Sequence, residues 1–134
     1  MKLSYFICVL LVFVLLLGGT TSAQEKKNQL EGTWVLSSGD FAGALKIINK
    51  THFATVSQDT SKQRSHFNAG TYSLSGDTYT ENIEFFSAFP ELIGNSVSYK
   101  IKIEGNRFTI SPLEKEEETE PEMQVQEEVW EKIK

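Results

Sequence analysis

Leu30-Glu31-Gly32-Thr33-Trp34-Val35-Leu36 is the stretch on which the fold turns. Gly32 and Trp34 open an alternating segment, about Thr33–Ser38, that puts Trp34 and Leu36 on one face of a strand. The glycine lets the chain bend sharply, and the tryptophan is bulky enough to plug one end of a closed sheet. Gly-x-Trp alone equally describes a strand that merely contains a buried tryptophan, so the weight falls on what surrounds it.

Upstream, Lys2 precedes a continuous apolar run from Tyr5 to Leu17, and Thr21-Ser22-Ala23 offers small residues before Gln24. This is the pattern of a secretion signal, residues 1–23, cleaved after Ala23. The apolar run is 13 residues long, whereas a membrane-spanning helix needs about 20. Cys8 lies inside that run with no small-residue cleavage site just before it, which argues against a lipid anchor. The expectation is an exported chain, periplasmic or secreted, with no membrane insertion after cleavage.

The remaining domain, 24–134, has 111 residues and no cysteine. Packing and strand pairing must therefore hold it together. It carries twelve basic and eighteen acidic residues, a net charge of −6. Six of the acids fall in Glu114–Glu122 (EKEEETEPE), a tract that reads as a solvated loop. Nothing resembles the basic footprint that nucleic acid requires.

Past the signal no segment shows apolar residues at helical spacing. Short alternating segments recur instead, with turn residues between them. They predict strands at about Thr33–Ser38, Ala44–Asn49, His52–Ser57, Ser65–Leu74, Thr78–Phe86, Asn95–Glu104, Arg107–Ser111 and Gln124–Ile133. Ser75-Gly76-Asp77 and Gly105-Asn106 are hairpin turns. One helical turn is expected near 87–93, around Pro90. Eight strands joined mostly by hairpins favour an all-β, up-and-down barrel, with a two-sheet sandwich as the alternative.

The order of segments carries a resemblance. His52-Phe53-Ala54 is followed by Ala69-Gly70-Thr71-Tyr72-Ser73-Leu74, Gly76-Asp77-Thr78-Tyr79-Thr80-Glu81 and Ile83-Glu84-Phe85-Phe86-Ser87. Leu92-Ile93-Gly94 and the ending Glu128-Val129-Trp130-Glu131-Lys132 complete it. With the Gly-x-Trp opening, this resembles the small lipocalin-like proteins exported by Bacteroidetes-type bacteria, a family largely without assigned function. The resemblance covers about Leu30 to Lys134. It implies a lipocalin-like barrel outside the cytoplasm, with Gly32 and Trp34 as structural residues and no catalytic set. In classical lipocalins a basic side chain near the barrel's end covers the motif tryptophan. The matching residue here is Lys132, for which a solvated terminal lysine is the other reading. The domain lacks the disulfide and added helix of classical lipocalins, which points to a small cavity.

Strand parity names the candidate lining of that cavity. Ile83 and Phe85 facing inward bring Tyr79 and Glu81 with them; Tyr72 facing inward brings His66; Phe53 and Tyr99 follow from their own strands. A bulge in the fourth strand would invert that parity and remove His66. Trp130 is a candidate whose face parity leaves open. An inward Glu81 needs a partner, with Tyr72 or Tyr99 as candidates, or its carboxyl becomes hard to ionise.

Two histidines without metal-ligand spacing predict no metal site, and no cofactor motif appears. The leading expectation is an exported barrel that binds a small, partly apolar molecule in its interior. The alternative is an envelope accessory protein with a filled barrel, binding a protein or glycan through its outer face or loops, motivated by the acidic tract and Trp130. An enzyme would need His66 and Glu81 facing one pocket.

Overall fold

A computed structural model of the chain describes residues 22–59, 62–113 and 127–134. Most of the expected signal and the whole acidic tract lie outside the described residues. Eight strands are present among those described: β1 Gly32–Leu36, β2 Leu45–Ile48, β3 His52–Asp59, β4 Arg64–Ser75, β5 Thr78–Phe86, β6 Ser96–Glu104, β7 Arg107–Pro112 and β8 Glu128–Lys132. Each pairs antiparallel with its sequence neighbours, and β8 returns to β1, so the barrel is closed. Closure removes both free edges and decides between barrel and sandwich. The helical turn expected near Pro90 is a 3-10 turn over Pro90–Leu92.

The two ends of the barrel differ. The short β2–β3, β4–β5 and β6–β7 connections gather at one end. The opposite strand ends, where β1 leads to β2, β3 to β4 and β5 to β6, lie at the other. Inside lie Trp34, Leu36, Ile48, Phe53, Tyr72, Tyr79, Ile101, Phe108, Ile110 and Trp130.

The tight-turn end carries an element that apolar periodicity does not signal: residues 22–30 are helical. Leu30 is this segment's buried residue, so the helix has no apolar stripe to detect. Its Gln, Glu and Lys residues are good helix formers, and its position comes from tertiary contacts. The Trp34 indole N–H donates to the Leu30 carbonyl at 2.8 Å. Lys26 Nζ donates to the Gly76 carbonyl at 3.1 Å, and Lys27 lies over the Tyr72 ring at 5.4 Å.

Lys132 closes the same end. Its ammonium lies 4.9 Å from the Trp34 ring centroid and donates to the Gln29 carbonyl at 3.1 Å. Gly32 makes room for it: the backbone there has φ +141°, and a Cβ would stand 2.5 Å from Lys132 Cε. The opening Gly-x-Trp thus builds a plug of helix, indole and lysine stem.

One irregularity reorders the wall. Ala69 pairs with Phe85, but Gly70 pairs with Ile83, leaving Glu84 as an extra residue in β5. The β3–β4 register runs unbroken from His52↔Thr71 to Asp59↔Arg64. The bulge therefore belongs to β5, and β4 keeps its alternation. His66 stays on the inward parity, whereas Phe85 is turned outward and is 56% exposed. This corrects the expectation that Phe85 lines the interior; Phe86, opposite inward-facing Asn68, takes its place.

Gly70 permits this close β4–β5 approach, because a Cβ there would overlap the Asn82 carbonyl oxygen. Backbone cannot yield as a flexible side chain can, so Gly70→Ala is expected to destabilise by about 3 kcal/mol or more. Urea denaturation midpoints of the two proteins measure this, and an unchanged midpoint contradicts it.

Candidate functional site

β2 holds the residue that sequence reading missed. Two of its three apolar residues, Leu45 and Ile47, point outward and are exposed, while Lys46 and Ile48 point inward. Lys46 is 4% exposed and Glu81, reaching from β5, is 2% exposed. Lys46 Nζ donates to Glu81 Oε1 at 2.6 Å. Glu81 is inward as parity predicts, but its partner is a lysine from the far wall and not Tyr72 or Tyr99. The Tyr72 hydroxyl donates instead to the Asn49 carbonyl at 2.8 Å.

Three rings surround the ammonium: Trp130 at 5.3 Å, Phe53 at 5.4 Å and Tyr79 at 5.7 Å from Nζ to centroid. Each presents electron density that favours a cation, and desolvation strengthens the attraction. Trp130 and Tyr79 belong to two aromatic series. Trp34 meets Phe108 edge-on at 4.6 Å, and Phe108 stacks on Trp130 at 6.0 Å. On the other side Tyr72 packs on Tyr79 at 5.4 Å, and Tyr79 on Tyr99 at 6.5 Å. Lys46 bridges the two series.

The site also contains polar atoms left over. Among the described residues, Thr55 Oγ1 and Asn68 Oδ1 are buried and make no hydrogen bond, whereas the Tyr79 hydroxyl faces the Glu81 carboxylate. Thr55 stands opposite Lys46 in the β2–β3 register, and Asn68 stands opposite Thr55 in the β3–β4 register. Directly opposed residues share a face with their Cβ atoms about 5 Å apart. Lys46, Thr55 and Asn68 therefore form a polar row across the inner wall, reaching Phe86 on β5.

The predicted lining residues sort clearly. Phe53, Tyr72, Tyr79, Glu81, Ile83 and Trp130 are buried, and Tyr99 is half-buried. Trp130 settles the open face of β8: it is inside, held by an indole N–H donated to Glu128 Oε2 at 2.9 Å. His66 is half-buried on the inward parity, but it does not meet Glu81. Glu81 pairs with Tyr72, six residues along β4 from His66, which separates their backbones by about 20 Å. No His66–Glu81 pair forms. Among the described residues no group of three or more His, Cys, Asp or Glu is placed to hold a metal ion.

The tyrosines respond to this interior. Burial, then the Glu31 charge, pushes the Tyr72 hydroxyl from 10.0 up to about 12. Burial pushes Tyr79 well up, and the Glu81 carboxylate adds to it through its charge and by facing the hydroxyl as an acceptor. Tyr99 is raised by burial, then by Glu81 and Glu128.

With this geometry established, similarity to known proteins places the chain. The pattern of a family described as a domain of unknown function, DUF4488, matches residues 21–134. The chain belongs to that family. The fold is similar to a crystal structure of a lipocalin-like protein from Bacteroides uniformis, with a TM-score of 0.53 at 13% identity. The match covers 78% of this chain and 99% of that one. The barrel is thus lipocalin-like. A search of curated proteins finds no match.

Two outcomes follow from the interior electrostatics. Removing one member of a buried ion pair leaves an uncompensated charge, so Lys46→Ala or Glu81→Ala is expected to cost about 3–5 kcal/mol. The double variant Lys46→Met/Glu81→Leu is expected to cost much less, and equal losses in urea unfolding contradict the account. The folded state also holds the tyrosine protons more tightly than the unfolded chain does. Stability is therefore full below the ordinary value of 10.0 and declines as pH rises towards about 12. Absorbance at 295 nm of the 24–134 domain is expected to report phenolate only together with unfolding; independent titration near pH 10 contradicts this.

Proposed function

We propose that this protein is exported and binds a small, partly apolar molecule inside the barrel. The observation that carries the reading is the polar row beside the Lys46–Glu81 pair, with Thr55 Oγ1 and Asn68 Oδ1 buried and unpartnered. A buried polar atom without a partner costs about 1–3 kcal/mol, and a bound hydrogen-bonding molecule recovers that cost. Apolar walls with a few placed polar groups are the usual composition of a ligand site. The half-buried, inward-facing Phe86 and Tyr99 supply apolar surface, and the row fixes orientation. Trp130, one of two features that motivated an outer-face partner, is buried and contributes to the interior instead.

Native mass spectrometry of the protein purified from its own host tests this reading. A retained non-covalent mass that is lost on denaturation is expected. Thr55→Val supplies the control. It removes a hydroxyl that has no partner in the fold, so the free domain is expected to keep its stability within about 0.5 kcal/mol while the retained mass falls. A bare wild-type mass, or a marked loss of stability in Thr55→Val, contradicts the proposal.

A further inference from the structure

We infer that the molecule taken into the barrel is uncharged, carries a hydroxyl-like group for the Thr55–Asn68 row, and presents an apolar body to the half-buried Phe86 and Tyr99. This rests on interior binding as proposed above and adds the chemical class.

The argument is one of charge compensation. Lys46 and Glu81 neutralise each other at 2.6 Å, at 4% and 2% exposure. A ligand carboxylate reaching Lys46 has to displace Glu81 and leave that carboxylate buried without a partner. A ligand ammonium reaching Glu81 strands Lys46 in the same way. Either case puts a third, uncompensated charge into a desolvated interior, which is far more costly than burying a neutral polar group that finds a hydrogen bond.

The polar demand lies next to the pair and is neutral in kind. Thr55 Oγ1 both donates and accepts, and Asn68 Oδ1 accepts. A hydroxyl, itself donor and acceptor, satisfies both from one position between opposed residues of β3 and β4. The row begins at Lys46 and ends at Phe86, so the hydroxyl is anchored beside the pair while an apolar body lies along aromatic wall. The pair therefore acts as a charge filter: it makes the deep interior polar without making it attractive to ions.

Three probes with one ring system and different charge test this at pH 7: 2-naphthol, 2-naphthoate and 2-naphthylmethylamine, titrated calorimetrically into the 24–134 domain. The wild type is expected to bind 2-naphthol at least about tenfold more tightly than either charged probe. Glu81→Gln leaves Lys46 uncompensated, and its preference is expected to move to 2-naphthoate. Thr55→Val is expected to weaken 2-naphthol by about fivefold or more. A charged probe that equals or exceeds 2-naphthol on the wild type overturns the inference, as does a folded Glu81→Gln that keeps the wild-type order. If near-ultraviolet circular dichroism shows Glu81→Gln unfolded, the wild-type order and Thr55→Val decide. If none of the probes binds, the inference falls. Interior binding then still stands where native mass spectrometry shows a retained molecule, and falls with it where the mass is bare.

Discussion

The buried contact between Lys46 and Glu81 organises this barrel. It joins β2 to β5 through the interior, between strands that do not pair with each other. A one-residue slip of β2 would bring Leu45 and Ile47 inside and carry Lys46 out to water, leaving Glu81 buried alone. The contact therefore penalises the alternative that the apolar pattern of β2 favours. Its net contribution to stability is modest, because desolvating two charges offsets most of their attraction. Its larger effect is to select one register and to place a neutralised charge pair among aromatic rings.

The two ends of the barrel divide the work. At the tight-turn end the helical residues 22–30, Trp34 and Lys132 form a plug tied by hydrogen bonds at 2.8 and 3.1 Å. Towards the opposite end the inward parities of β3 and β4 carry Ser57 and His66, directly opposed in register. Between the two ends, the Lys46–Thr55–Asn68 row marks the level at which aromatic packing gives way to unpartnered polar atoms. Placed polar groups inside an otherwise apolar wall are costly unless something uses them, which is why the row, and not the barrel itself, supports the functional reading.

Much of this was legible from residues alone because closed antiparallel sheets write themselves as period-two alternation. Trp34, Phe53, Tyr72, Tyr79, Glu81 and Ile83 are inside where parity puts them. Three features escaped for separate physical reasons. Lys46 was missed because burial of a lysine depends on a carboxylate from another strand, and its neighbours Leu45 and Ile47 favour the opposite face. Phe85 was placed inside because the extra residue Glu84 shifts parity only from that point along β5; the nearby signal was Gly70, whose missing Cβ admits the β5 backbone. The helical residues 22–30 have no apolar periodicity because one buried side chain, Leu30, anchors them.

A crystal structure of the protein purified from its own host tests the central claim most directly. The account predicts an uncharged occupant within hydrogen-bonding distance of Thr55 Oγ1 and Asn68 Oδ1, its apolar part against Phe86 and Tyr99, with the Lys46–Glu81 contact intact. An interior in which protein side chains and water alone satisfy Thr55 and Asn68, or an occupant whose own charge replaces Glu81 at Lys46, would contradict it.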